Sequence, residues 1–187
     1  FGDTQIVVDS GPDFRQQMLA IDANKLDAVV FTHEHKDHTA GLDDIRPFNF
    51  MQDAPLKIYA TTWVQDSLKK QFDYIFADLQ YPGLPKVDLQ TISKEKAFHI
   101  NNHPIIPIEV LHYKLPVLGF RFGDFTYITD ANYISEEEKE KIKGSKVLVL
   151  NALRKEVHIS HFTLEEAIAL AQSLGVEQTY FTHISHQ

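Results

Sequence analysis

Cysteine is absent from the 187 residues, so neither a disulfide framework nor a thiolate metal site is available. Any bound metal must be held by nitrogen and oxygen, and a reducing, cytoplasmic compartment is the expectation. No run approaches the roughly 18 apolar residues of a spanning helix and no basic-then-apolar leader opens the chain, which excludes a membrane partner of that kind. Positive charge is also scarce: 18 Lys and Arg against 26 Asp and Glu give a net charge of -8. That balance argues against a broad cationic face for a long nucleic acid, while leaving room for a local anion site made cationic by metal. Initiator methionine is missing, Phe1-Gly2-Asp3-Thr4 reads as a hairpin turn, and the chain stops inside the His-rich Thr182-His183-Ile184-Ser185-His186-Gln187. The expectation is a domain lacking its extreme N- and C-terminal segments. No repeat, linker or low-complexity tract divides it, so residues 1–187 read as a single domain.

Short apolar, β-branched runs predict strands at Ile6 to Val8, Ala28 to Phe31, Ile58 to Ala60, Ile105 to Leu111, Val117 to Phe122, Phe125 to Ile128, Val147 to Leu150 and Thr179 to Phe181. Gly123-Asp124 has hairpin chemistry. Ser135 with Glu138, and Thr163 with Glu166, have capping-box spacing, and Gly144 and Gly175 stand where such helices would stop. Leu164, Ile168 and Ala171 form the expected core-facing stripe of the second helix. A third helix is predicted from about Trp63 to Phe72, a loop at 81–86, and a solvated charged face over Glu136 to Lys143. Strands early and late with helices between them indicate a layered α/β domain.

Directly after the run Ala28 to Phe31 come three imidazoles and a carboxylate in six residues: His33, His35, Asp37 and His38. In an extended segment His33 and His35 project to one side, while a turn lets Asp37 and His38 face a second point a short distance away. That arrangement suits two metals; the bland alternative is a solvated polar loop.

HxHxDH after an apolar strand resembles the signature of the metallo-β-lactamase superfamily. Asp9 in Val7-Val8-Asp9-Ser10-Gly11, His112 before Tyr113-Lys114, Asp130 in Tyr127-Ile128-Thr129-Asp130-Ala131, and His183 in Phe181-Thr182-His183 match the family's further positions in order. Gly11-Pro12-Asp13-Phe14-Arg15, Gly41-Leu42-Asp43-Asp44-Ile45-Arg46-Pro47-Phe48 and the C-terminal segment resemble the branch containing the phosphoribosyl cyclic phosphodiesterase of phosphonate breakdown. The cysteines with which members of that branch bind a structural zinc are lacking here.

The resemblance implies an αββα sandwich with two sheets face to face between helices. It implies one metal on His33, His35 and His112, a second on Asp37, His38 and His183, and Asp130 bridging both. Asp9 would accept the other ring proton of a ligand imidazole. Zn²⁺ and Mn²⁺ are expected, with Fe²⁺ and Ni²⁺ open because imidazole and carboxylate accept all four. Catalysis would fall to Asp37, Asp130 and His161, with hydroxide activated by two metals attacking phosphorus. His161 is the family's substrate-contacting position ahead of a helix, and His158 stands near it. His186 is a further candidate beside the metals, whereas His99 and His103 read as surface residues. Arg46, Arg15 and Lys114 are candidate phosphate contacts, though a buried salt bridge to Asp13, Asp43 or Asp44 explains either arginine equally well. The implied activity is hydrolysis of a small, possibly cyclic, phosphodiester. Its rivals are thioester or lactam hydrolysis on the same fold, and a non-catalytic metal-binding protein.

Overall fold

Valine, alanine, isoleucine and leucine dominate a four-stranded, wholly parallel sheet of order β1-β2-β3-β4, formed by Ile6–Val8, Ala28–Val30, Leu56–Ala60 and Val87–Thr91. Parallel strands buried on both faces read as continuous apolar runs, and Ala28, Val29 and Val30 are all fully buried. Helices α1 (Phe14–Ala20), α2 (Lys36–Thr39), α3 (Arg46–Gln52), α4 (Thr62–Gln71) and α5 (Asp73–Phe76) connect or follow these strands. Phe14, Phe31, Leu42, Ile45, Ile58 and Leu68 pack together as the core. The computed structural model describes residues 2–78 and 81–186, so Phe1 of the expected N-terminal turn lies outside the described residues.

These elements make up one of two compact units, Phe1–Ser93, and the other is Lys94–Gln187. The second contains a six-stranded mixed sheet of order β10-β9-β8-β7-β6-β5. Its strands are β5 (Phe98–Ile100), β6 (His103–His112), β7 (Leu115–Phe122), β8 (Phe125–Ile128), β9 (Val147–Asn151) and β10 (Gln178–Thr182). Strands β8, β9 and β10 are parallel, and β5 to β8 pair antiparallel. Gly123-Asp124 joins β7 to β8 with Phe122 opposite Phe125, and Gly123 takes φ 59°, the left-handed region such a two-residue turn requires. Helices α6 (Glu136–Ile142) and α7 (Leu164–Leu174) complete the unit.

Four expectations need correction. The buried stripe of α7 is Ala167, Ala171 and Leu174, while Ile168 is 40% exposed. Residues 167, 171 and 174 keep the i, i+4, i+7 spacing of one face, and Ile168 stands about 100° around the helix from it. Thr163 and Glu166 form the full capping box, but Ser135 and Glu138 form only half of one. Glu138 instead accepts the Glu109 N–H at 2.8 Å and is 7% exposed, so the charged helix α6 is not solvated all round. Strands β4 and β5 were not expected. Each carries charged or polar residues (Asp88 and Gln90; His99) that mask the apolar signal, because an edge strand has only one neighbour to pack against.

Candidate metal centre

In both units the chemistry-bearing residues stand just beyond the C-terminal ends of parallel strands, where open α/β sheets place their ligand sites. In the first unit Asp9 follows β1 and His33 follows β2. In the second, Asp130 follows β8 and His183 follows β10, while His112 closes β6. Asp9, Asp130 and His183 all adopt left-handed backbone conformations, with φ of 62°, 54° and 55°. Non-glycine residues in that region cost of order 1–3 kcal/mol each and collect at sites where geometry is imposed by function.

The motif loop is built from the strand outward. His33 is buried, whereas His35 and Asp37 are exposed. His33 Nε2 lies 3.0 Å from His35 Nδ1, which confirms that the extended segment projects both rings to one side. At His35 the chain turns into α2, its carbonyl accepting the N–H groups of His38 and Thr39. This turn carries His38 around until its Nε2 stands 3.4 Å from Asp37 Oδ2. Two glycines permit the turn: a Cβ on Gly11 would meet the Asp37 carbonyl oxygen at 2.4 Å, and one on Gly41 the Gly11 carbonyl oxygen at 2.3 Å. Helix α4 braces the loop from outside, with Trp63 Nε1 donating to Glu34 Oε1 at 2.8 Å and Gln71 Nε2 donating to the Glu34 carbonyl at 3.1 Å.

Asp9 governs the ring orientation. Its Oδ2 accepts from His38 Nδ1 at 2.7 Å and from the Thr32 hydroxyl at 2.8 Å, and its Oδ1 accepts the Thr32 N–H at 2.8 Å. Burial pushes the Asp9 carboxyl up, against the His38 and Thr32 hydrogen bonds that hold it down. The Thr32 hydroxyl, committed to Asp9, accepts from His33 Nδ1 at 2.9 Å. Both rings are thereby fixed in the tautomer that presents Nε2 as a lone pair.

In the second unit, Asp130 is 2% exposed and is the hub. Its Oδ1 lies 3.1 Å from His161 Nε2, and its Oδ2 lies 3.4 Å from His183 Nδ1 and accepts from the Thr129 hydroxyl at 2.6 Å. His112, Asp130 and His161 each offer one donor atom within 4.8 Å of the others. His112 Nδ1 donates to the Ser160 carbonyl at 3.0 Å, which again leaves Nε2 as the lone pair. His158 Nδ1 lies 3.1 Å from His161 Nδ1; burial first, then His161, Arg154 and His112, push the His158 imidazole below its usual value. The loop 129–131 is anchored by Asn151, whose side-chain amide bonds both the N–H and the carbonyl of Ala131.

This donor set suits divalent metal. With Asp9 taking the Nδ1 proton, His38 turns a lone pair toward the Asp37 carboxylate, two acceptors face to face, an arrangement a cation satisfies. All the donors are imidazole nitrogen or carboxylate oxygen, and three imidazoles have their second nitrogen held by a carboxylate, a hydroxyl or a carbonyl, as metal ligands require.

A family model described as a β-lactamase superfamily domain matches residues 4–184. The chain belongs to the metallo-β-lactamase superfamily. Its two-sheet α/β architecture is that of the superfamily fold, and a solved structure described as a new diphosphatase from the PhnP family superposes on it with TM-score 0.91. That superposition has 35% sequence identity and covers 100% of this chain and 70% of that one. An octanoyltransferase of Porphyromonas gingivalis is 37% identical over 183 residues, 97% of this chain and 37% of that protein. A ribonuclease Z of Staphylococcus epidermidis is 27% identical over 118 residues, 60% of this chain and 37% of that protein. The chain thus spans about 37% of the length of these curated relatives.

The other residues singled out from the sequence lie elsewhere. Arg15 and Arg46 line a surface cavity of about 530 Å³ in the first unit with Met18, Asp43, Asp44 and Phe48, and no residue of the motif loop lines it. Arg46 Nη1 reaches the Gly83 carbonyl at 3.3 Å. Lys114 Nζ stands over the Tyr113 ring, 5.2 Å from its centre. His186 and His99 are exposed, and His103 is half-buried at the start of β6. Sequence reasoning missed Thr32, Ser160 and Asn151. Thr32 could have been suspected, since it separates the strand from the first motif histidine; the Ser160 carbonyl has no side-chain signal at all. No described helix is long and apolar enough to cross a membrane.

Proposed function

We propose that the chain is a metal-dependent hydrolase, a phosphodiesterase acting on a small phosphodiester, cyclic or acyclic, with residues 1–187 working as one domain in the cytoplasm. The observation that carries this reading is the buried carboxylate of Asp130, with an imidazole nitrogen at each oxygen: His161 Nε2 at 3.1 Å and His183 Nδ1 at 3.4 Å. A carboxylate so placed can serve two cations at once. The likeness to a PhnP-family diphosphatase supports attack at phosphorus, as does the more distant likeness to a ribonuclease Z.

In this reading His33, His35 and His112 would hold one divalent ion, Asp37, His38 and His183 a second, and Asp130 both, with Zn²⁺ or Mn²⁺ preferred. Bound there, such ions supply Lewis-acid polarisation of phosphoryl oxygens and a water acidified toward neutral pH. The remaining work belongs to side chains. Asp9, through His38 and Thr32, keeps the motif imidazoles oriented. Asp37, the exposed carboxylate of the motif, takes the proton from the attacking water. His161, held by Asp130 on one nitrogen and by His158 and Ser160 on the other, gives a proton to the departing oxygen as its bond to phosphorus breaks. The acidic surface disfavours long polyanions, so the substrate is small.

The test compares kcat/KM for a bis-aryl phosphate, a ribose cyclic phosphate, a transfer-RNA precursor, a glutathione thioester and a lactam, with Mn²⁺ or Zn²⁺ present. Fastest turnover of one of the two small phosphodiesters is expected. A thioester or lactam turned over far faster than any phosphodiester would move the chemistry to carbon. That outcome would fit the acyl chemistry in the name octanoyltransferase, which belongs to a protein this chain matches over 37% of its length.

A further inference from the structure

Helix α4 meets the motif loop along one stripe, Trp63, Ser67 and Gln71, spaced four residues apart on one face. At the C-terminal end of the stripe Gln71 clamps the loop. Its Nε2 donates to the Glu34 carbonyl at 3.1 Å and to Ser67 Oγ at 3.0 Å, and its Oε1 accepts from the Thr39 hydroxyl at 3.3 Å. These bonds hold both ends of the turn that carries His35, Asp37 and His38. At the N-terminal end stands Trp63, the one tryptophan of the chain, in the first turn of a helix capped by the Thr61 hydroxyl. Its Nε1 donates to Glu34 Oε1 at 2.8 Å, yet the residue is 67% exposed, and among the described residues no other ring packs on it.

A tryptophan that serves only the fold buries its ring, because the indole carries more apolar surface than any other side chain. Here the polar edge is satisfied and held, while most of the ring is left in water. The anchor decides where that ring stands. Glu34 lies between His33 and His35, about 3.8 Å along the chain from each, and its side chain leaves the extended segment on the side opposite the two imidazoles. The indole therefore flanks the candidate ligands without covering them. His35 and Asp37 are themselves exposed, so the motif loop is open to an approaching molecule. A group gripped by Trp63 is at the outer end of such a molecule, away from the atom under attack. Flat, rigid and already oriented by its hydrogen bond, the indole loses little freedom when another flat ring stacks on it.

We propose that Trp63 is a specificity-determining residue whose indole stacks on a planar aromatic ring carried by the substrate, remote from the reacting phosphorus. This rests on the phosphodiesterase reading above and adds a ring to its substrate. The ring can be a nucleobase on a sugar or an aryl group on an ester oxygen; both offer the same π face, and separate substrates distinguish them.

The experiment sets Trp63→Leu and Trp63→Phe against the parent, all supplied with Zn²⁺, with three substrates: a nucleoside cyclic phosphate, the same ribose cyclic phosphate without a base, and a bis-aryl phosphate. Trp63→Leu keeps apolar bulk but no ring. It is expected to lower kcat/KM for at least one ring-bearing substrate about 10-fold or more, chiefly through KM, and to leave the base-free substrate within a factor of about two; Trp63→Phe recovers part of the loss. Whichever ring-bearing substrate loses more identifies the source of the ring. Equal losses on all three make Trp63 a brace for the loop and overturn the inference, as does no loss on any. If the parent hydrolyses no phosphodiester, the function reading fails by itself, and the fluorescence of the single tryptophan decides the stacking. The parent is then titrated with a nucleoside monophosphate, phenyl phosphate and ribose 5-phosphate. A saturable change with either ring-bearing ligand and none with ribose 5-phosphate supports the proposal; no change with either, or an equal change with ribose 5-phosphate, overturns it.

Discussion

Asp9 and His38, 29 residues apart in sequence, meet at 2.7 Å through Oδ2 and Nδ1, and this bond decides which nitrogen of His38 faces the Asp37 carboxylate. The same carboxylate reaches His33 through the Thr32 hydroxyl, so one buried acid orients two motif imidazoles. Asp9→Ala should therefore weaken metal binding about 10- to 100-fold without removing a proposed ligand. Competition against a chromogenic chelator measures this. An unaltered metal affinity would leave Asp9 a purely structural acid.

Elemental analysis of protein purified without chelator should give about two transition-metal ions per chain. Because the proposed ligands come from separated segments, metal should also stabilise the fold. At a free concentration a hundred times the dissociation constant, each site adds about 2.7 kcal/mol, or roughly 5–10 °C in Tm for a chain of this size. A melting curve blind to metal, in protein that is folded, would count against the site.

Asp130→Asn removes one negative charge from the hub of the second cluster and should weaken at least one ion and cut turnover by about a hundredfold or more. His103→Ala, at the far end of β6 from His112, should leave both within a factor of about two, since His103 belongs to none of the candidate ligand groups. Parallel losses in the two variants would mean that the wrong residues have been assigned to the site.

Gly11→Ala places a methyl group where the Asp37 carbonyl oxygen stands, at 2.4 Å. Backbone cannot give way as a side chain can, so the motif turn must shift. A stability loss of about 1–3 kcal/mol in urea unfolding is expected, with metal affinity falling as well. Retention of both would show that the two segments separate freely.

Tyr74 should ionise well above the ordinary tyrosine range. Burial, and the hydrogen bond it donates to Asp43 at 2.7 Å, push its phenol up to about 12. The raised value means that its contribution to stability is complete below the ordinary tyrosine pKa of about 10 and is lost as pH rises through about 12. Ultraviolet titration of the parent against Tyr74→Phe measures this, and Asp43→Asn should bring the transition down.

The amino-acid sequence by itself determined the apolar strands, the two capped helices and the HxHxDH segment, because each rests on local rules: apolar periodicity, capping chemistry and dense spacing of like-functioned residues. Edge strands β4 and β5 escaped it since their neighbours, not their own residues, make them strands. The helical phase of α7 escaped it for the same reason, as three apolar residues at near-helical spacing fit more than one face and only packing selects Ala167, Ala171 and Leu174. At the site, sequence could name His112, Asp130 and His183 but not what holds them. The Ser160 carbonyl behind His112 and the Thr32 hydroxyl between Asp9 and His33 depend on contacts between segments distant along the chain, or on backbone atoms that every residue possesses. Only the tertiary structure fixes those, because a tautomer, a burial cost or an uncompensated charge is a property of the surroundings and not of the residue.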